Sequence, residues 1–159
     1  MYRTVSDFLG EWSNASGGTL QVLESLTDEK LNQAIVEGHS TLGWLGWHLA
    51  TSVPFFAGQA GLKVAMPGDP GSVPSKANEI ADAYKKASEE LVREVETNLT
   101  DESMVETVEA LGQKMPRGAV LRLFIDHQTH HRGQMTVLLR QAGLNVPGVM
   151  GPTREDQQK

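Results

Sequence analysis

Apolar residues recur along this chain at helical spacing. Between Thr4 and Leu26, the positions of Val5, Phe8, Leu9, Trp12, Leu20, Leu23 and Leu26 predict a first long helix. Gly17-Gly18 interrupts its middle at about 1 kcal/mol per glycine relative to alanine, so the helix either bends there or is carried through by tertiary packing. Thr27 ahead of Asp28 and Glu29 places an N-cap hydroxyl before acids in a positive first turn, which predicts a short helical turn ending before Gly38-His39. Ser40 is expected to cap a second helix, TLGWLGWHLATSVPFFAGQAG. Its broad face carries Trp44, Leu45, His48, Ser52, Phe55 and Phe56, and Pro54 is expected to kink it. Gly43 and Gly46 in this helix permit close approach of a neighbour.

Leu62 to Pro74, LKVAMPGDPGSVP, cannot be a helix interior and reads as a long connection crossing one end of a bundle. Ser75 is then expected to cap a third long helix. There Ile80, Tyr84, Ala87, Leu91 and Val95 face inward, and Glu89, Glu90, Arg93 and Glu94 form a solvated face. Asn98 to Met115 reads as a short helix or irregular stretch. A fourth long helix runs from Pro116 near its first turn to the terminating Gly143. No stretch shows convincing strand periodicity and no repeat is present. The pattern predicts an all-α protein: an antiparallel four-helix bundle with a long crossover connection and short extra helices. One domain is expected over residues 1–150, followed by an extended or frayed tail over 151–159.

The length, 159 residues, suits one core. A formal net charge of −6 disfavours a nucleic-acid partner, since phosphate recognition needs clustered Lys and Arg. The sequence has neither an apolar run long enough for a membrane helix nor the apolar segment of a signal peptide, so a cytoplasmic protein without membrane contact is expected. Cys is absent, which removes disulfides, thiolate ligands and a cysteine nucleophile, and leaves nitrogen and oxygen for any metal chemistry. The aromatic surface of Trp12, Trp44, Trp47, Phe55 and Phe56 exceeds what one small core needs and points to a homodimer.

The fourth helix carries the candidate chemistry. At about 100° per residue, Val120, Leu123, Phe124, His127, His131, Met135, Leu138 and Ala142 share one side, so the apolar stripe contains two imidazoles. Residues at i and i+4 stand about 5–6 Å apart at their bases. From there two ring nitrogens can meet one ion at about 2.0–2.1 Å each. His130 falls at the edge of the stripe. Against a metal stands a plainer alternative, neutral core histidines satisfied by backbone carbonyls or a polar neighbour. A third candidate ligand, His48 among the aromatics of the second helix, shifts the balance toward an ion. Asp126 abuts His127 but points about 100° away, as a surface or supporting group, and Gln134 is placed to hydrogen-bond near the site.

WLGWHLA around His48, DHQTHHRGQM downstream and the Arg-Gln-Ala-Gly close together resemble the DinB/YfiT-like four-helix-bundle metalloproteins, which are unrelated to the DNA polymerase sharing the name. The likeness runs from about Leu20 to Gly148 and includes LTDEKL, QKMPRGAVL and GLNVPG. It implies that His48, His127 and His131 bind one divalent metal, with His130 beside the triad and not a ligand. By ligand type the ion is Zn or Ni, with Fe or Co as alternatives. Similar proteins include transferases and isomerases that use low-molecular-weight thiols such as bacillithiol, mycothiol or glutathione. A metal-dependent thiol S-transferase or hydrolase acting on a small electrophilic substrate is therefore the leading expectation. Three neutral imidazoles leave positions on the ion open for solvent or a thiol, in a pocket walled partly by Trp44 and Phe55. The alternative is a non-catalytic bundle that sequesters metal or acts through protein contacts.

Overall fold

In the computed structural model, which describes residues 1–158, four long helices pack around one core. They are α1 (Val5–Glu24), α2 (Leu42–Gln59), α3 (Ala77–Asn98) and α5 (Arg117–Ala142), and a one-turn helix α4 (Asp101–Met104) precedes α5. Helix α1 packs against α3 and α5, and α2 packs against the same two. The cyclic order is thus α1, α3, α2, α5, with α1 and α2 diagonal to each other. Phe8 and Trp12 from α1, Leu45 and Phe56 from α2, Tyr84 and Leu91 from α3, and Phe124 and Leu139 from α5 are buried in the centre. The four-helix bundle expected from periodicity is the fold. No helix among the described residues is long and apolar enough to cross a membrane.

The helix ends are fixed by local chemistry, in places different from that expected. Thr4 caps α1 by accepting the Asp7 N–H at 3.1 Å, and α1 continues through Gly17-Gly18 as one helix. Thr41, one residue beyond the expected Ser40, caps α2 by accepting the Trp44 N–H at 3.1 Å. Helix α3 starts at Ala77 and not directly after Ser75. Its cap comes from a distant part of the chain: Asp28, in the 3-10 turn Asp28–Lys30, accepts the Ala77 N–H at 2.8 Å and pairs with Lys76 at 2.9 Å. Gly143 ends α5 in the left-handed conformation, φ 71°.

Two expectations are corrected. Residues 107–116 form a two-stranded antiparallel hairpin, β1 (Thr107–Ala110) and β2 (Gln113–Pro116), where a helix or irregular stretch was expected. Its two-residue turn, Leu111-Gly112, has positive φ at both positions, 53° and 77°, and the Leu111 N–H is tied to Gln59 Oε1 at 2.7 Å. Leucine is a poor left-handed residue, so the sequence lacks the Asn-Gly or Asp-Gly that announces such a turn. Nor is the tail simply extended through residue 158. Asp156–Gln158 form a 3-10 turn, and Glu155 pairs with Arg140 of α5 at 2.7 Å; the expectation for Lys159 lies outside the described residues.

Candidate metal centre

One turn apart on α5, His127 and His131 meet His48 of α2 in the bundle, their ring centroids 4.4 Å apart for His127–His131, 4.6 Å for His48–His131 and 4.9 Å for His48–His127. One ring nitrogen from each lies within 4.8 Å of the other two. The Nε2 atoms of His48 and His127 are 3.0 Å apart, so one carries the proton and the other accepts it. His131 is held from behind, its Nδ1 2.7 Å from Gln134 Oε1. With the amide oxygen as acceptor, Nδ1 carries the proton and Nε2 keeps its lone pair, which is the tautomer a ligand requires.

All three imidazoles favour the neutral form. Desolvation, followed by the neighbouring imidazoles, lowers His127 from its ordinary 6.5 to about 4. Burial and then His131 lower His48. Burial lowers His131 despite the opposing effect of the hydrogen bond it donates to Gln134. Neutral imidazole is the metal-binding form, so at neutral pH an ion enters without net release of a proton; the proton shared by the His48 and His127 Nε2 atoms moves to the other nitrogen of its ring.

The donor set fits a divalent ion better than it fits three packed core histidines. Satisfied core histidines would direct their nitrogens at carbonyls or polar side chains. Here His127 Nδ1 is buried with no partner, and the His48 and His127 Nε2 atoms have each other. His130 is exposed, its ring 4.8 Å from that of His131, and it does not join the cluster. Asp126 is drawn away by Arg122, whose Nη2 lies 2.5 Å from it while Nη1 reaches Glu11 at 2.9 Å. The carboxylate is therefore a surface group, as its angular position on the helix indicated.

The rim differs from the expected wall. Trp44 stacks on His48 at 4.8 Å and is 41 % exposed; it lines a larger groove of mixed character with Asp28, Asn32 and His39, outside the apolar cavity beside the imidazoles. Phe55 does wall that cavity but is half exposed, and Trp47 is the buried tryptophan of α2. On α5, Leu123 of the predicted stripe faces solvent, while Gln128 and Arg132, both polar, are buried.

Gln128 ties the helices together behind His127. Its Oε1 accepts from Tyr84 Oη at 2.9 Å and from Thr19 Oγ1 at 3.4 Å, and its Nε2 donates to Ser52 Oγ at 3.0 Å. One amide thus links α1, α2, α3 and α5 beside the site. A single polar residue on a helix gave no sign of this, because its partners come from three other helices.

Gln134 provides a direct check on the role of the hydrogen bond to His131. Gln134→Leu is expected to weaken divalent-ion binding by about 10–100-fold while leaving the helical content unchanged, because a ligand loses the partner that fixes its tautomer and ring orientation. Equilibrium competition with a chromogenic chelator measures it. An unchanged affinity would remove Gln134 from the site.

The sequence and fold have close counterparts. An uncharacterised protein of Bacillus subtilis strain 168, YrdA, is 42% identical over 159 residues, covering 100% of this chain and 95% of its own. The crystal structure of a DinB-like protein from Bacillus cereus ATCC 10987 superposes with a TM-score of 0.90 at 42% identity, covering 93% of this chain and 99% of that one. A DinB-like protein of Bacillus subtilis, YjoA, shares the fold at a TM-score of 0.71 and 22% identity, covering 92% and 99%. The family model described as "DinB family" matches residues 1–159, and with these relatives it shows that the chain belongs to the DinB family.

Proposed function

We propose that His48, His127 and His131 hold one divalent ion, and that the protein uses it to transfer a low-molecular-weight thiol to a small electrophile, or to run the related hydrolytic reaction. The observation that carries this reading is the cavity of about 320 Å³ lying directly against His48 and His127. A closed structural site would have four protein ligands and no such opening. Here three imidazoles converge and one side faces a ligand-sized space.

When bound, the ion supplies Lewis acidity that keeps a thiol deprotonated near neutral pH. The thiolate sulfur forms the new bond to carbon, and the carbon–leaving-group bond breaks with its electron pair on the leaving group. The thiol proton passes to solvent. His48 and His127 mark the reacting end of the cavity. Phe56, with its ring centroid 5.1 Å from that of His127, shields the cluster from water. Gln134 orients His131, and the buried Gln128 fixes the helix that presents His127.

Cobalt substitution tests the reading. Adding bacillithiol, mycothiol or glutathione to the Co-loaded protein is expected to produce a sulfur-to-metal charge-transfer band for at least one thiol, and that thiol should be consumed with an alkyl or aryl halide. If no thiol perturbs the spectrum and a fourth protein ligand is found, the transferase reading gives way to a non-catalytic metal bundle.

A further inference from the structure

The chemistry of the cavity wall narrows the substrate class; this step rests on the proposed reaction and deepens it. Phe55, Phe56, Met66 and Pro70 form the wall against His48 and His127, with Thr51 and Ser52 as its remaining lining. Neither hydroxyl has a proton to offer a ligand. Thr51 Oγ1 donates to the Trp47 carbonyl at 3.0 Å; Ser52 Oγ donates to the Leu49 carbonyl at 2.8 Å and accepts from Gln128. No Asp, Glu, Lys or Arg lines this cavity among the described residues. The carboxylates of α3 that approach this connection are engaged elsewhere: Glu90 accepts the Ala65 N–H at 3.1 Å and Glu94 the Lys63 N–H at 3.0 Å. These two residues are therefore ties to the crossover connection and not simply a solvated face.

Those ties also make the wall a preformed one. Ala65 is anchored just before Met66. Just before Pro70, the Asp69 carbonyl accepts the Trp47 Nε1 proton at 2.9 Å. Between them, a Cβ on Gly68 would stand 3.1 Å from the Trp47 ring, so glycine lets the connection lie close against that indole. Phe55 and Met66 are each 49 % exposed, apolar surface that the chain itself leaves uncovered at the cavity. The cavity is at the small end of the range of ligand sites, about 300–1,000 Å³. An ammonium group entering it would lose its water and meet no counter-charge on the wall, and an anion would meet none other than a divalent ion held at the His48–His127 end.

We infer that this cavity takes the carbon skeleton of the electrophile, and that its wall admits small neutral apolar skeletons, aromatic ones above all, while rejecting ammonium compounds in either metal state and carboxylates or phosphates in the metal-free protein. The reacting carbon lies at the His48–His127 end, and the skeleton packs between Phe55 and Met66.

The test uses unreactive probes on the full chain, with and without the divalent ion, so that binding is read independently of turnover. Benzyl alcohol is titrated against the methyl NMR signal of Met66, identified by its loss in Met66→Leu, and benzylammonium and benzenesulfonate are titrated as charged counterparts. Benzyl alcohol is expected to shift that signal in both metal states, with benzylammonium weaker by about tenfold or more in both and benzenesulfonate weaker by a similar factor in the metal-free protein. Phe55→Asp is expected to weaken benzyl alcohol by a similar factor of about ten, and because Phe55 is half exposed the variant should fold. Benzylammonium that binds as well as the alcohol, benzenesulfonate that does so without the ion, or full affinity in Phe55→Asp, would overturn the inference. Loss of thiol transfer with selective benzyl alcohol binding intact would defeat the proposed reaction and leave the apolar site standing.

Discussion

Alanine at His127 is expected to leave a folded bundle that no longer retains a divalent ion, whereas alanine at His130 is expected to leave metal content unchanged. His127 is the hub of the cluster, with Nε2 3.0 Å from that of His48 and its ring 4.4 Å from that of His131. Removing it leaves two donors from different helices, and the loss of affinity should exceed the roughly 10–100-fold that follows removal of a partner behind a ligand. His48→Ala and His131→Ala should act in the same direction. Elemental analysis of untagged protein decides the matter. A loaded His127→Ala alongside an empty His130→Ala would reverse the assignment.

The same residue gives a pH dependence whose sign follows from its depressed pKa. Above about 6.5, both folded and unfolded states hold His127 neutral, and its contribution is fully present. As the pH falls from 6.5 toward about 4, the unfolded chain binds a proton that the folded site resists, so stability declines across that window. His127 is only about half buried, so the full conversion is discounted to about 1–2 kcal/mol. Protons also compete with the ion over this range, and metal affinity should fall there too.

The parts of this site legible in sequence are those set by a single helix. His127 and His131 sit one turn apart because α5 is regular, and the apolar run at Val120, Phe124, Met135 and Leu138 faces the core as periodicity requires. His48 stood out by residue type and by resemblance. What periodicity could not place was anything decided between elements. Trp44 and Phe55 both read as walls of one pocket, yet only Phe55 lines the cavity beside the imidazoles while Trp44 faces a separate groove, because one helix pattern does not say where the neighbouring elements leave space. Gln128, which helix periodicity does not single out, is the amide that links four helices. The hairpin at 107–116 was hidden by Leu111, whose positive φ is held by Gln59 from another helix and not by local preference.

A paired substitution on α5 separates packing from propensity, and its larger member is expected to be strongly destabilising. Gly118 sits in the first turn, where the Tyr2 N–H donates to its carbonyl at 3.1 Å and the two backbones run in contact. A Cβ there would overlap the Tyr2 carbonyl oxygen, with the Tyr2 carbonyl carbon at 2.9 Å and the Met104 carbonyl oxygen at 3.2 Å. Every obstacle is backbone, so no rotamer change relieves it, and the N-terminal segment or the start of α5 has to move. Gly118→Ala is therefore expected to cost about 2–3 kcal/mol, at the upper end of overpacking. For a chain of this size that corresponds to a fall in Tm of roughly 5–10 °C. Gly133, on the same helix, has nothing within 4 Å of a Cβ. There alanine only removes the glycine penalty, so Gly133→Ala is expected to stabilise by about 0.5–1 kcal/mol. Thermal denaturation of the two metal-free variants beside the parent measures both signs at once. If Gly118→Ala were neutral, the close approach of Tyr2 to α5 would not persist in solution, and the N-terminal segment would have to be packed differently.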